Sequence, residues 1–341
     1  MDIYATTKNH GEPTASVDAV NSVIAAAGRG ARPDVVMTIL NEMCSKYSVT
    51  PNERTYRSAI VACNQAEHEK RRQRKRRARL AHPSLVSVNT QDFPTFDEDN
   101  PEDDPLLLQW WEAALSLFRR MQEEGLTPDI QTYSSVISAC ESAGQWQRAI
   151  GILRTMTSED TTSHGPNKFC FNAAIAACQK GGAWLEAVEL YERMRGQVKP
   201  NFITMNSVLI ALEEADQKEL AESIYREALK DKIVQPWKWT SDEHSKKIRV
   251  MDLHQFSVCM AKIAVRNVID SFMSAKPVHD ASKDLVIIVG KGKGSEDGNR
   301  VLMPEVKNLL KNEYGLQSMV DEKNDGRLRI RSEDLFKFAD I

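Results

Sequence analysis

The sequence predicts an α-solenoid of helical hairpins followed by a small α/β sandwich. The solenoid is predicted by a heptapeptide pattern that recurs five times, and by apolar residues spaced by three and four within each copy. The sandwich is predicted because the repeat stops after residue 237, and segments with strand and helix patterns then alternate. A chain of 341 residues is long enough for two such domains.

The five copies align without gaps at residues 20–26, 56–62, 133–139, 171–177 and 205–211. Their final alanines are 36, 77, 38 and 34 residues apart, so the longest interval is one period plus an insertion. Four copies end in a proline followed by a polar residue. These endings are Pro51-Asn52, Pro128-Asp129, Pro166-Asn167 and Pro200-Asn201.

A short turn separates two amphipathic stretches within a copy, and the second stretch begins with a Trp-x-x-Ala motif at Trp111, Trp146 and Trp184. The repeated unit is therefore predicted to be a pair of helices. One such pair cannot bury its apolar stripe alone, so neighbouring pairs must stack. We expect the three tryptophans to pack in the core rather than to form a ladder for stacked bases.

The period, the Thr-Tyr-x-x-Val/Ala-Ile-x-Ala-Cys opening and the Pro-Asp/Asn ending resemble the pentatricopeptide repeat family over residues 17–237. The resemblance implies a solenoid that lies along single-stranded RNA, with one base per repeat. In that family, the residue after the tyrosine and the last residue of the repeat read the base. The matching base-reading residues are Asn21 with Asn52, Ser134 with Asn167, Asn172 with Asn201, and Asn206.

Amides and hydroxyls suit this role because they donate and accept hydrogen bonds on the edge of a splayed base. By the resemblance, Ser134 with Asn167 reads adenine, and the two Asn pairs read pyrimidines. The pair of Arg57 and Asp129 departs from the family pattern, as does Trp237 at a closing position. The alternative is that these Asn and Ser residues only cap helices.

Residues 67–108 interrupt the second copy between its two helices. They carry a basic run at 70–79 and acidic clusters at 97–99 and 102–104. A long, highly charged segment with few apolar residues is predicted to be disordered. Three roles of the basic run are left open: contact with RNA phosphates, a solvated loop neutralised by the acidic clusters, and a nuclear import signal.

Residues 238–249 are polar and charged and are predicted to form a linker, whereas residues 250–332 are predicted to form the α/β domain. Asp252 and His254 are two residues apart on a predicted strand, so they share one face. A carboxylate beside an imidazole suits proton transfer in phosphodiester cleavage. A glycine-rich loop that can approach an anion follows the next strand. Its candidate phosphate-binding residues are Gly290, Lys291, Gly292, Lys293 and Gly294.

The segments Met251-Asp252-Leu253-His254 and Val289-Gly290-Lys291-Gly292 resemble the Leu-Asp-x-His and Thr-Gly-x-Gly motifs of the Smr (small MutS-related) domain. That family is associated with nucleic-acid nicking and RNA endonuclease activity. The resemblance therefore implies that Asp252 and His254 are catalytic and that the loop binds phosphate. The sequence departs from the family where Val289 replaces threonine, and where Gly294 and Glu296 stand in place of a histidine and an arginine found in many members.

The two resemblances together imply a sequence-preferring single-stranded RNA-binding protein of RNA processing, with endonuclease activity in the Smr-like domain left open. The alternative is a non-catalytic RNA-binding adaptor that supports transcript stability, translation or transcription in an organelle. A helical scaffold for proteins is a more distant alternative. No cofactor is evident, and no metal site is predicted. Two points are left open: a divalent cation that assists cleavage, and binding of DNA by the Smr-like domain. The sequence identifies no protein partner.

The composition limits these functions. The net charge is −3, so any contact with nucleic acid is expected to be local. The six cysteines form no CxxC pair, which argues against a zinc site or a disulfide framework. No run of eighteen apolar residues occurs, so no membrane span is predicted. The family resemblance favours a chloroplast or a mitochondrion, although residues 1–16 show no transit peptide.

Overall fold

A computed structural model describes residues 16–30, 32–81, 110–158, 165–241, 247–273, 283–290, 301–321 and 324–339. The chain divides into two compact units, residues 1–181 and residues 182–341. The division falls within the predicted solenoid rather than at the predicted linker. The last helices of the repeat region therefore belong to the same unit as the α/β module.

Up to residue 230, the described residues form ten helices, two for each of the five copies. They are α1 (Val17–Arg29), α2 (Pro33–Ser45), α3 (Glu53–Ala81), α4 (Trp110–Glu123), α5 (Ile130–Ser142), α6 (Trp146–Ser158), α7 (Lys168–Lys180), α8 (Trp184–Arg195), α9 (Phe202–Glu214) and α10 (Lys218–Lys230). The prediction of helical hairpins is confirmed.

In the first unit, the odd-numbered helices α1, α3, α5 and α7 pack side by side. Tyr56, Tyr133 and Phe171 occupy the same repeat position and are fully buried. Two turns further along the same helices, the recurring cysteines are also fully buried, at Cys63, Cys140 and Cys178. Burial raises the pKa of the Cys140 thiol to about 11, as expected for a packing residue rather than a reactive one.

The tryptophans that begin the second helices differ in burial. Trp111 is buried, as predicted, and the guanidinium carbon of Arg148 lies 4.9 Å from the centre of its ring system. Trp146 and Trp184 are only partly buried. Gly181 leaves room for Trp146, since a Cβ atom at Gly181 would lie 2.2 Å from Trp146 Cδ1.

Helix α3 corrects the prediction of disorder for part of the insertion. It continues through the basic run to Ala81, so residues 67–81 are helical. Arginine, lysine, glutamine, glutamate and alanine are good helix formers, and no glycine or proline interrupts residues 67–81. The rest of the predicted insertion, residues 82–108, lies outside the described residues.

The second unit contains a five-stranded sheet formed by β1 (Trp237–Ser241), β2 (Lys247–Asp252), β3 (Leu285–Ile288), β4 (Met319–Val320) and β5 (Arg327–Ile330). The strand order is β1-β2-β3-β5-β4, and β2 pairs with β3 in parallel whereas the other pairs are antiparallel. The predicted linker at 238–249 is therefore mostly strand. The Trp-Lys-Trp-Thr segment has the alternating aromatic and polar pattern of a strand, and its charged surroundings obscured that signal.

Three further helices accompany the sheet: α11 (Val258–Met273), α12 (Leu302–Tyr314) and α13 (Ser332–Ala339). Helix α11 packs against α9, α10, α12 and α13. The last repeat helices and the α/β module therefore share one core. Within the part of the chain that the structure describes, no helix combines the length and apolar character required to cross a bilayer.

Candidate functional site

The closing residues of four copies all cap the first helix of the next copy. Asn167 Oδ1 accepts hydrogen bonds from the amides of Phe169 and Cys170, at 3.0 and 3.1 Å. Asn201 Oδ1 accepts one from the Thr204 amide at 3.0 Å. Asn52 and Asp129 cap α3 and α5 in the same way, through the amides of the residues three positions later. All four closing residues therefore cap a helix, and these bonds use one side-chain oxygen of each.

Capping and base reading use different atoms of Asn167. Both of its cap bonds end on Oδ1, and among the described residues its Nδ2 amine makes no hydrogen bond. The side chain is half-buried at the surface of the repeat. Capping thus orients the amide while leaving its donor face available.

Asn21 was predicted to face RNA, but its side chain is buried in the fold. Its side chain is only 2 % exposed, and it lies between α1 and α3. Its Nδ2 donates to Asn52 Oδ1 at 3.3 Å, and its Oδ1 accepts from the Thr55 hydroxyl at 2.7 Å. Both ends of the amide are therefore used within the fold, and Asn52 is held by the same network. Asn21 is therefore not presented to a ligand, whereas Asn52 is exposed.

The pair of Arg57 and Asp129, which departs from the family pattern, forms an ion pair with an N···O distance of 2.5 Å. Burial alone would raise the pKa of Asp129, but hydrogen bonds from Thr132 and Arg57 outweigh burial and lower it. The carboxylate is therefore ionised at neutral pH and neutralises the arginine. A base at this position would have to compete with that ion pair.

The remaining candidate readers, Ser134, Asn172 and Asn206, are half-buried, each directly after a fully buried core residue. This placement follows from the helical period, since one residue turns the side chain by about 100° from the core. The Oδ1 atom of Asn206 is buried without a hydrogen-bond partner in the part of the chain described. A buried acceptor without a partner is rare in folded proteins.

Two residues next to these readers were missed in the sequence. Phe169 and Ile203 are 60 % and 61 % exposed, and they precede Asn172 and Asn206 by three residues on the same helices. Residues three apart are neighbours on a helix surface. The sequence could have indicated Phe169 and Ile203, because both are large apolar residues outside the apolar stripe that is buried.

In the α/β module, Asp252 joins two cationic or protonatable groups. Asp252 Oδ1 lies 2.6 Å from His254 Nδ1, and Oδ2 contacts the Lys238 ammonium on β1. Burial alone would raise the pKa of Asp252, but the hydrogen bonds from Lys238 and His254 lower it. The ionised carboxylate therefore fixes the orientation of an imidazole whose side chain is 47 % exposed.

The two motifs of the predicted Smr-like domain lie next to each other. Gly290 has φ of +82°, and a Cβ atom there would lie 3.3 Å from His254 Cβ. The rest of the predicted phosphate-binding loop, Lys291, Gly292, Lys293 and Gly294, lies outside the described residues. Among the residues described, no group of three or more His, Cys, Asp or Glu side chains could hold a metal ion.

This cluster adjoins the fifth repeat. The Asp252 amide donates to the carbonyl of Pro236, which closes that repeat, at 2.6 Å. The ring of Phe256 packs edge to face on Phe202, with ring centres 5.5 Å apart. Phe202 follows the capping residue Asn201 directly. The imidazole is therefore located at the end of the repeats where Asn201 caps α9.

Comparison with known proteins gives matches in the repeat region. The pentatricopeptide repeat domain model matches residues 116–181, and the PPR repeat model matches residues 169–197. No curated protein matches the chain in sequence.

Solved structures similar to the chain include nuclear proteinaceous RNase P 2 from A. thaliana, with 10 % identity, 61 % of this chain and 37 % of that chain covered, and a TM-score of 0.45. A second is the pentatricopeptide repeat protein PPR10 in complex with an 18-nt psaJ RNA element, with 19 % identity, 73 % and 27 % coverage, and a TM-score of 0.46. A third is the PPR domain of Arabidopsis thaliana protein-only RNase P 1 with tRNA, with 12 % identity, 64 % and 92 % coverage, and a TM-score of 0.45. The chain spans about a third of the length of the first two.

The matched residues contain Ser134, Asn167 and Asn172, three of the candidate readers. They also contain helices α5, α6, α7 and α8. Residues 116–197 of the chain therefore match the pentatricopeptide repeat family.

Proposed function

We propose that this protein binds single-stranded RNA with a sequence preference, through the polar residues at the first-helix starts of its later repeats. The observation that carries the proposal is the family match over residues 116–197, which contains Ser134 and a capped and oriented Asn167. An amide and a hydroxyl supply donors and acceptors for the edge of an unstacked base. The pairs of Asn21 with Asn52 and of Arg57 with Asp129 are not proposed as readers.

Exposed apolar residues beside the readers support the same proposal. Phe169 and Ile203 each lie one helical turn before a half-buried Asn, so each of these two readers has an exposed apolar neighbour on its own helix. Stacking on such side chains stabilises single-stranded nucleic acid. Polar readers then distinguish the base that stacking holds.

The test is a substitution that separates reading from capping. Asn167→Asp keeps the oxygen that caps α7 but removes the Nδ2 donor, so helix stability should be retained. Binding is measured by fluorescence anisotropy on RNA selected from a random pool and on variants randomised at one position. The loss of one hydrogen bond predicts an affinity about tenfold lower for the preferred RNA and an altered preference at one base.

The matched control is Asn308→Asp, which introduces the same charge on an exposed helical Asn of α12. It should leave the base preference unchanged. If both variants weaken all RNAs equally, the added charge explains the loss and Asn167 reads no base. If the wild-type chain binds no single-stranded RNA, the whole proposal falls.

A second function, RNA cleavage by the α/β module, is favoured by the contact of Asp252 with His254 next to Gly290. In this proposal, His254 transfers the proton and Asp252 fixes the imidazole tautomer. His254→Ala should lower nicking by about a hundredfold or more without changing RNA affinity. Nicking at the wild-type rate would exclude His254 from the reaction, and no nicking by the wild type would favour a non-catalytic RNA adaptor.

A further inference from the structure

The edge strand β1 carries an exposed aromatic surface that the readers and the His254 site do not use. Trp239 is 68 % exposed, the highest value among the large apolar side chains described as exposed. Burying an indole from water is favourable by a few kcal/mol, so an indole held this far into solvent is a common feature of binding surfaces. Within the described sheet, β1 pairs only with β2, which leaves its outer edge open.

Two cationic side chains of β2 lie on the same face of the sheet as this indole. Trp239 pairs with Arg249 across the two antiparallel strands. Trp237 comes two residues before Trp239, and Lys247 comes two residues before Arg249, so these two lie on opposite sides of that pair. Side chains two residues apart share a face, so all four are on one side. The guanidinium carbon of Arg249 lies 4.5 Å from the centre of the Trp237 ring system. We call Trp237, Trp239, Lys247 and Arg249 the β1 platform.

The chemistry of the β1 platform distinguishes between classes of partner. A docking site for a folded protein is expected to present a contiguous apolar patch, whereas here two aromatic side chains on β1 lie beside two cationic side chains on β2. Aromatic rings beside cations suit single-stranded nucleic acid, whose bases stack on the rings while its phosphates face the cations. An arginine already lying over an indole is well placed for this, because the guanidinium can bind phosphate from that position.

We propose that the β1 platform binds unstacked bases of single-stranded RNA without reading their identity. This inference rests on the proposed RNA binding and extends it to a second surface, outside the repeats. Lys238, the residue before Trp239, contacts Asp252 from the opposite face of the strand. The sheet therefore separates RNA on the platform from the Asp252 side chain, and the platform is a binding surface distinct from the Asp252 and His254 pair.

The test compares Trp239→Ala with Trp239→Phe in the full chain. Because stacking on an aromatic ring tolerates any base, Trp239→Ala should weaken binding to the preferred RNA and to a random RNA by the same factor, about 5-fold to 100-fold. Trp239→Phe should recover most of the affinity. Replacing the bases of the RNA with abasic sites should remove the difference between wild type and Trp239→Ala.

Met319→Ala is the matched control, because Met319 is a 42 % exposed apolar residue on β4, at the other edge of the same sheet. It should leave RNA affinity unchanged. An unchanged affinity of Trp239→Ala, in a chain that still binds RNA, would overturn the platform but leave the reading of bases by the repeats intact. A wild-type chain without RNA affinity would instead overturn the proposed function, and the platform with it.

Discussion

Arg266 on α11 forms two parallel hydrogen bonds with Glu313 on α12, from Nε to Oε2 at 2.9 Å and from Nη2 to Oε1 at 2.8 Å. Its Nη1 donates to Glu213 on α9 at 2.9 Å. The arginine side chain is only 11 % exposed. One guanidinium thus connects the last repeat to the α/β module, and it places the candidate readers of that repeat and His254 in one structural unit.

Removing this guanidinium should destabilise the second unit strongly. Arg266→Met leaves Glu213, 13 % exposed, without its cation. Breaking a buried pair typically costs about 3–5 kcal/mol, and the 43 % exposure of Glu313 reduces our expectation to about 2–3 kcal/mol. Chemical denaturation measures the loss. Lys262→Met is the control, because it breaks a partly exposed pair with Glu305 and should cost less than about 1 kcal/mol.

The same cluster predicts how stability depends on pH. The hydrogen bonds from Arg266 hold the pKa of Glu313 below its ordinary value of 4.5, although burial acts in the opposite direction. A lowered pKa stabilises the fold above the unfolded value, and this stabilisation is lost as the pH falls through the folded value. The stability difference between wild type and Arg266→Met should therefore decrease below about pH 4.5. A difference that stays constant down to pH 3 would contradict this linkage.

The helical hairpins could be predicted from the sequence because their information is local. Tyr133 and Phe171 are buried where the three-and-four spacing places them. The burial of Asn21 could not be predicted in this way, because it depends on Thr55 and Asn52, which are more than thirty residues away in the chain. The family position of Asn21 predicts a base reader, but its hydrogen bonds to residues outside α1 bury the side chain.

The α/β module was predicted at residues 250–332, but its first strand β1 and its last helix α13 were not predicted. The apolar run of β3 and the helical spacing of α11 were visible in the sequence. Strand β1 is stabilised by pairing with β2 and by the contact of Lys238 with Asp252, and neither is encoded by neighbouring residues. Lys238 was missed as a partner of Asp252 for the same reason.

Gly181 is predicted to be intolerant of a side chain. An added Cβ atom would lie 2.2 Å from Trp146 Cδ1 and 3.1 Å from the Gly144 carbonyl oxygen. Gly181→Ala should therefore destabilise the chain by about 1–3 kcal/mol in thermal or chemical denaturation. Gly151→Ala is the matched control, because Gly151 lies within α6 with nothing within 4 Å of its added Cβ. That change should stabilise the helix by up to about 1 kcal/mol.

The basic run at the end of α3 is predicted to bind RNA phosphates. Residues 70–79 contain eight lysines and arginines within a continuous helix. Replacing all eight with glutamine, itself a good helix former, removes the charge while preserving the helix. Each lost phosphate contact should reduce the slope of log affinity against log salt by about 0.7 for single-stranded RNA.

The control for this variant replaces the same number of lysines and arginines elsewhere on the surface, among residues not in ion pairs. It matches the change in net charge, so it measures the long-range effect of charge alone. If the salt slope falls equally in both variants, the basic run makes no local contact with the phosphates and is a solvated helical segment. If the salt slope falls only in the variant with residues 70–79 replaced, the basic run is part of the RNA-binding surface, together with the repeats.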